Sequence, residues 1–223
     1  MEIKIIQEKL AKALNNVSRV AAGSRASLPI LNNVLIRVDD NKVSLTTTNL
    51  DMAVVSFLPA RQCKNGVVTV PARLIAEFVG NLPKGEVVEI NGTEDKVVVK
   101  ASGYSSTING ASAEDFPELP EIDVEKVVKF QMGVDDFKDG LSQVMIAASN
   151  DTTRPALTGV YFNTFEGELY LAATDGYRLA ERKFISKVNS EVRAIVPAAS
   201  LQEVLRSLND DVDEIEIWFD ETQ

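Results

Sequence analysis

A chain of 223 residues, 45% apolar, with 33 acidic against 23 basic residues, holds enough apolar material for two domains of ordinary size and is acidic overall. It has no histidine, which removes the commonest general base and metal ligand, and its single cysteine, Cys63, excludes an internal disulfide and a multi-cysteine metal site. No apolar run reaches the ~18–20 residues of a membrane span and no signal-peptide pattern opens the chain, so it reads as cytoplasmic with no membrane partner.

Met1–Ile6 alternates and predicts a strand. Lys9–Ala22 places Leu10, Ala13, Leu14, Val17 and Ala21 on one helical face. Strands follow at Asn32–Val38, Lys42–Thr48 and Met52–Leu58, the first two joined by the turn Asp39-Asp40-Asn41. Val67–Val70 is a further strand. Pro71 then opens a helix whose buried face is Leu74, Ile75, Phe78 and Leu82, and Asn81–Gly85 ends it. Val87–Ile90, Val97–Lys100 and Ser105–Asn109 complete a first domain over residues 1–120. Residues 114–126 read as an extended, solvated linker, of which Glu114–Glu125 holds six acidic residues, two prolines and no basic residue. A second domain, 127–223, restarts with a strand at Val127–Val134 and a helix over Asp135–Ala148.

The second domain repeats the first. At an offset of 126, slipping to 127 at either end, Pro29-Ile30-Leu31 falls on Pro155-Ala156-Leu157, Thr48-Asn49 on Thr174-Asp175, and Val70-Pro71-Ala72 on Val196-Pro197-Ala198. A period this long means duplicated α+β domains rather than a solenoid. After Ile90 the first copy continues through two more strands, whereas six residues follow Ile217, so the second copy is expected to lack its last two strands. Truncation of a longer chain is the expected cause, and a partner that supplies the edge is the alternative.

Net charge argues against nucleic acid, but charge placement matters more. Lys9, Lys12, Asn16 and Arg19 share the polar side of the first helix, and three cations without an anion suit a phosphate backbone; a solvated helix face is the alternative. Arg25 and Arg154 lie in loops of the two copies that correspond, which strengthens the phosphate reading. No aromatic interleaving marks a base-stacking platform, so such contacts would be sequence-blind. Ala173–Ala180 is the most distinctive local string. Asp175-Gly176 signals a turn, but the pair Tyr177-Arg178 is of the type enriched at interfaces, and with Leu157 and Leu179 it suggests a pocket for a linear peptide. The acidic pairs Asp39-Asp40, Asp135-Asp136 and Asp210-Asp211 fall in turns or at helix starts and read as caps. No dinucleotide fingerprint, phosphate loop or zinc-protease motif is present.

Four strings together, Ser27–Val34, Ala113–Pro117, Arg154–Val160 and Ala173–Ala180, resemble the bacterial DNA polymerase III beta subunits, the replication sliding clamps. The match runs through the chain in order. The resemblance implies a DNA-clamp fold: duplicated domains, each of two strand-helix-three-strand units, with sheets outside and helices on the inner face. It further implies three tandem domains in a head-to-tail ring dimer, of which this chain carries the first and most of the second. A chain without the third domain is expected not to close that ring, and a trimer is the alternative. The implied function is a non-enzymatic processivity factor, with no cofactor and no metal, that encircles duplex DNA. It would tether the DNA polymerase III catalytic subunit, the clamp loader and other proteins with clamp-binding motifs. On the matched strings, Lys12, Arg19, Arg25 and Arg154 would contact DNA. Leu157, Thr174, Gly176, Tyr177, Arg178 and Leu179 would form one side of the partner-peptide pocket. Histidine is common in the family where Tyr177 stands, and the aromatic residues many members carry beside Arg154 are Pro155 and Ala156 here. The rival readings are a protein-binding module that does not encircle DNA and an enzyme built on converging carboxylates, which would need a raised carboxyl pKa.

Overall fold

The computed structural model describes residues 1–22, 28–40, 42–93, 95–120, 122, 127–184, 191–208 and 212–220. They divide into two compact units, Met1–Leu119 and Pro120–Gln223. In chain order the first contains β1 (Glu2–Ile6), α1 (Gln7–Ala22), β2 (Asn33–Asp39), β3 (Lys42–Thr48), β4 (Ala53–Pro59), β5 (Arg61–Lys64), β6 (Gly66–Pro71), α2 (Ala72–Gly80), β7 (Val87–Gly92), β8 (Lys96–Ala101) and β9 (Tyr104–Asn109). The second contains β10 (Val128–Gly133), α3 (Val134–Met145), β11 (Gly159–Phe165), β12 (Glu168–Thr174), β13 (Leu179–Phe184), β14 (Arg193–Pro197), α4 (Ala198–Ser207) and β15 (Glu214–Phe219). The sequence repeat is structural: equivalent elements start 126 or 127 residues apart, as Asn33 does from Gly159 and Gln7 from Val134.

The first unit has two antiparallel sheets, ordered β5-β1-β7-β8-β9 and β4-β3-β2-β6. Their alternating apolar residues and the apolar stripes of both helices meet in one core. Leu10, Leu14 and Val17 of α1, Ile75 and Val79 of α2, and Ile36, Leu45, Val88 and Val99 of the strands are all fully buried there. Burial on this scale is what fixes helices of 16 and 9 residues, lengths that are marginal alone in water. Two polar groups pin the helices inside this core. Gln7 Nε2 donates to the carbonyl of Val79 at 2.7 Å, and Thr47 Oγ1 donates to the carbonyl of Val17 at 2.7 Å.

The second unit pairs β13-β12-β11-β14 in one sheet and, among the described residues, β10 with β15 in the other. Its core is more aromatic. Phe162 lies 5.3 Å from Phe219, which meets Phe130 edge-on at 5.7 Å, and Leu141 and Val144 of α3 close over them. Asp135 and Asp136 occupy the first turn of α3, where carboxylates face the positive end of the helix dipole. Gly140 lets α3 approach β13: a Cβ there would stand 2.2 Å from Cζ of Phe184.

Four expectations need correction. Leu74, placed on the buried face of α2, is 51% exposed, and Val79 fills the core instead. β5 is an additional strand, a polar four-residue edge that pairs with β1 through an irregular register and carries the half-buried Cys63. The helix read as running to Ala148 stops at Met145: Ile146 is exposed, while Ala147, which continues the apolar pattern, is buried from a turn. The start of the acidic linker is packed structure: Ala113–Asp115 forms a 3-10 turn, Ser112 Oγ accepts the Glu114 N–H at 3.2 Å, and Phe116 is buried. The hairpin expected at Asp39–Asn41 pairs Asp39 with Lys42, with Asp40 at φ 43; Asn41 lies outside the described residues.

Candidate functional site

β12 ends at Thr174 and β13 begins at Leu179, its cross-strand partner, so residues 175–178 form a tight connection. Two side chains hold it. Thr174 Oγ1 donates to the Arg178 carbonyl at 2.7 Å and accepts the Gly176 N–H at 3.0 Å. Asp175 Oδ1 accepts the N–H groups of Tyr177 and Arg178 at 2.9 and 3.0 Å, while Oδ2 takes Arg178 Nε at 3.0 Å. Gly176 sits at φ +93, a conformation that disfavours side chains. The N–H donors of Tyr177 and Arg178, followed by the Arg178 charge, hold the Asp175 carboxyl below its ordinary 3.8, against some desolvation. A lowered carboxyl pKa stabilises the turn above the ordinary value, and that stabilisation is lost as pH falls through the lowered one.

A turn satisfied this fully leaves its outward side chains available. Tyr177 is 96% exposed and Leu179 69% exposed, far more than turn geometry requires. Leu157, half-buried, lies in the 3-10 turn Pro155–Thr158, held by the N–H of Ser149 donating to its carbonyl at 2.8 Å. Arg154 precedes that turn. Its Nε meets Asp151 Oδ2 at 3.2 Å, and a Cβ placed on Gly176 would stand 3.9 Å from its Nη1. The loop carrying Arg154 and Leu157 is thereby brought against the Thr174–Leu179 turn. Arg154, grouped by sequence with the candidate DNA-contacting cations, stands beside Gly176, which sequence grouped with the candidate peptide pocket. Asp151, whose carboxyl is lowered by the hydroxyl and N–H of Thr153 and then by Arg154, positions that guanidinium. Asp151 was not singled out by sequence, and Asp175 only as part of its turn; an Asx residue two before the N–H that donates to it is the signal that marks both.

The first unit contains the same turn with different residues on display. Thr48 Oγ1 donates to the Met52 carbonyl at 2.9 Å and accepts the Leu50 N–H at 3.1 Å. Asn49 Oδ1 accepts the N–H groups of Asp51 and Met52 at 3.1 and 2.8 Å. Leu50 takes the left-handed position at φ 75 and is 63% exposed, whereas Leu31, the counterpart of Leu157, is fully buried.

On α1, Lys9 and Lys12 are exposed, and Arg19 is half-buried with its Nη2 donating to Asn16 Oδ1 at 3.1 Å. The spacing puts Lys12 and Arg19 about 10 Å apart along one side of the helix. Arg25 lies outside the described residues. Among the described residues, no group of three or more His, Cys, Asp or Glu could hold a metal ion, and no helix is long and apolar enough to cross a membrane. Among the described residues, the carboxylates with a resolved shift, Glu2, Asp151 and Asp175, all lie below their ordinary values, the opposite of what the carboxylate-enzyme reading requires.

Comparison with known proteins agrees along the whole chain. Residues 1–120 match the family model of the DNA polymerase III beta subunit N-terminal domain, and residues 131–223 match that of its central domain. The beta sliding clamp of Bacillus subtilis (strain 168) is 31% identical over 234 residues, covering 100% of this chain and 61% of that protein. That of Halalkalibacterium halodurans is 30% identical with the same coverage. Among solved structures, the DNA polymerase III subunit beta from Pseudomonas aeruginosa superposes with a TM-score of 0.90 at 30% identity, over 97% of this chain and 59% of that one. The DNA polymerase sliding clamp from Bacillus subtilis gives 0.87 at 28% identity, over 100% and 60%. The chain thus spans about three-fifths of the length of the relatives it matches.

Proposed function

We infer the function from one premise: the chain belongs to the DNA polymerase III beta subunit family. It acts as a sliding clamp, a processivity factor rather than a catalyst, which encircles duplex DNA and tethers the polymerase III catalytic subunit to it. The clamp loader and other proteins with clamp-binding motifs share the docking surface. One observation carries this reading: a turn locked by Thr174 and Asp175 that exposes Tyr177, Arg178 and Leu179 beside Arg154. Leu157 and Leu179 offer apolar contact to a linear segment, while Arg154 and Arg178 offer guanidinium donors to its carbonyls or carboxylates. Lys12 and Arg19 of α1, with Arg25, would hold the phosphate backbone by charge alone, which suits a protein that must slide.

The reading is tested by fluorescence anisotropy with a labelled peptide spanning the clamp-binding segment of the polymerase III catalytic subunit. Arg178→Ala should weaken binding about fivefold, or about 1 kcal/mol, because the side chain is exposed and already engaged by Asp175. Its far-UV circular dichroism should match that of the parent. Equal affinities for parent and variant would remove the turn from the account.

A further inference from the structure

The site row Thr174–Leu179 lies on the face of the β13-β12-β11-β14 sheet that points away from the core, and that face continues past it. Strand alternation puts Ala172 and Tyr170 of β12, Glu181 and Lys183 of β13, and Tyr161, Asn163 and Phe165 of β11 on the same side. The register aligns Tyr161 with Ala172 and Ala172 with Glu181, so the small Ala172 stands between a tyrosine and a carboxylate. Those two flanks are about 10 Å apart, two strand spacings. Over this gap is a depression of about 300 Å³ bounded by Tyr161, Asn163, Phe165, Tyr170, Ala172 and Glu181. Phe165 is 58% exposed and meets Tyr170 edge-on at 6.4 Å, an apolar cluster left open on the sheet surface.

The charges around this depression are unequal. Lys183 is committed: it pairs with Glu168, lies 5.8 Å from the centroid of Tyr170, and its pKa is raised chiefly by Glu168. Tyr170 Oη donates to the same Glu168 carboxylate at 3.4 Å. Glu181 has no ion-pair or hydrogen-bond partner among the described residues, and its carboxylate borders the Ala172 gap. An uncommitted carboxylate opposite aromatic rings, across a slot floored by a methyl group, matches a long cationic side chain. The stem would lie over Ala172 against the rings, and the charge would meet Glu181 with a ring face beside it.

We propose that this depression binds an arginine side chain of a basic segment in a partner protein, one that runs along the sheet from the Thr174–Leu179 turn. Which segment arrives rests on the function proposed above; the cation site itself does not. Four residues along β12 separate Thr174 from Tyr170, so a chain leaving the turn reaches the slot within about 13 Å. Arginine suits the slot better than lysine because its planar guanidinium can stack on a ring while donating to the carboxylate. The overall acidity of the chain, formal charge −10, draws the same kind of partner.

The test uses the intact chain with N-acetyl-argininamide as probe and its neutral urea isostere, N-acetyl-citrullinamide, as control. The Ala172 methyl resonance and the Tyr161 and Tyr170 ring resonances are followed by nuclear magnetic resonance. Saturable shifts with the arginine probe, absent with the citrulline one and lost in Glu181→Gln, are the expected result. Equal shifts from both probes, no saturable shift, or full retention in Glu181→Gln would overturn the proposal. Leu179→Ala separates the two sites: it should weaken the polymerase peptide and leave the argininamide shifts unchanged. If instead Leu179→Ala leaves the peptide untouched while the argininamide site behaves as described, the turn reading fails and the cation site stands.

Discussion

Gly140→Ala is expected to destabilise the second unit, although it replaces a helical glycine. At an open helical position the change would add about 1 kcal/mol of helix propensity. Here the added methyl would lie 2.2 Å from Cζ, 2.9 Å from Cε1 and 3.1 Å from Cε2 of Phe184. Carbon atoms prefer about 3.5 Å or more, so the ring would have to retreat by about 1.3 Å. Phe184 is buried among the second unit's aromatic and aliphatic core, where overpacking typically costs about 1–3 kcal/mol. The net loss should therefore be up to about 2 kcal/mol. Trp218, the only tryptophan, sits in β15 of the same unit, so urea unfolding followed by its fluorescence reports the change directly. Phe184→Leu supplies the control: it shortens the obstructing side chain, so the double variant should lose less than the sum of the single losses. Phe184 also ends β13, the strand that Leu179 begins, so peptide affinity should fall with stability in Gly140→Ala and recover partly in the double variant. A variant about 1 kcal/mol more stable than the parent, with additive behaviour in the cycle, would refute the packing argument.

Other expectations are separable from this one. Asp175→Ala removes three hydrogen bonds of the turn at once, so peptide affinity should drop at least as far as in Arg178→Ala, with the unfolding midpoint nearly unchanged; an undiminished affinity would show that the turn needs no lock. Because the Asp175 carboxyl is held below its ordinary value, the protection of the Tyr177 and Arg178 amides relative to their intrinsic exchange should persist through the ordinary carboxylate range and be lost only at lower pH; loss of protection near neutrality would contradict the assignment. Leu50→Gly should stabilise the first unit by about 0.5 kcal/mol: relief of a left-handed residue, worth about 1–2, exceeds the added freedom of the unfolded chain, about 0.4–1. Circular dichroism during denaturation would detect it, and a loss of stability would sink it. Lys12→Glu should lower the slope of log affinity for duplex DNA against log salt by about 1, the value of one phosphate contact; an unchanged slope would take Lys12 off the DNA.

Long-period similarity and apolar spacing made most of the architecture readable, because both report burial. Leu10, Leu14 and Val17 recur at helical spacing and are all fully buried. Where burial and backbone part company, the reading slipped. Ala147 is buried from a turn and so extended the apparent helix, and β5 is a polar edge with no apolar alternation to announce it. The site was half legible. Tyr177, Arg178 and Leu179 stood out by type, and Thr174-Asp175 stood out because Thr48-Asn49 repeats it. That Arg154 belongs beside Gly176 was not legible, since a loop arginine carries no mark of which neighbour it will meet. The aromatic face of the second sheet escaped for a related reason: Tyr161, Phe165 and Tyr170 read as ordinary strand residues until register sets them side by side.

The turn that occurs twice separates a mount from what is mounted. Thr48 with Asn49, and Thr174 with Asp175, hold two loops in one geometry, yet the first displays Leu50, Asp51, Met52 and Ala53 where the second displays Gly176, Tyr177, Arg178 and Leu179. Display on such a mount can be rewritten at three positions without disturbing the backbone hydrogen bonds beneath, the fourth, Leu50 or Gly176, being held to a left-handed backbone. Selection has an easy path to new specificities there, and so does an engineer. A chain with both mounts dressed alike would be divalent, and its hold on a partner with two linked motifs would then depend on linker length rather than on any new contact.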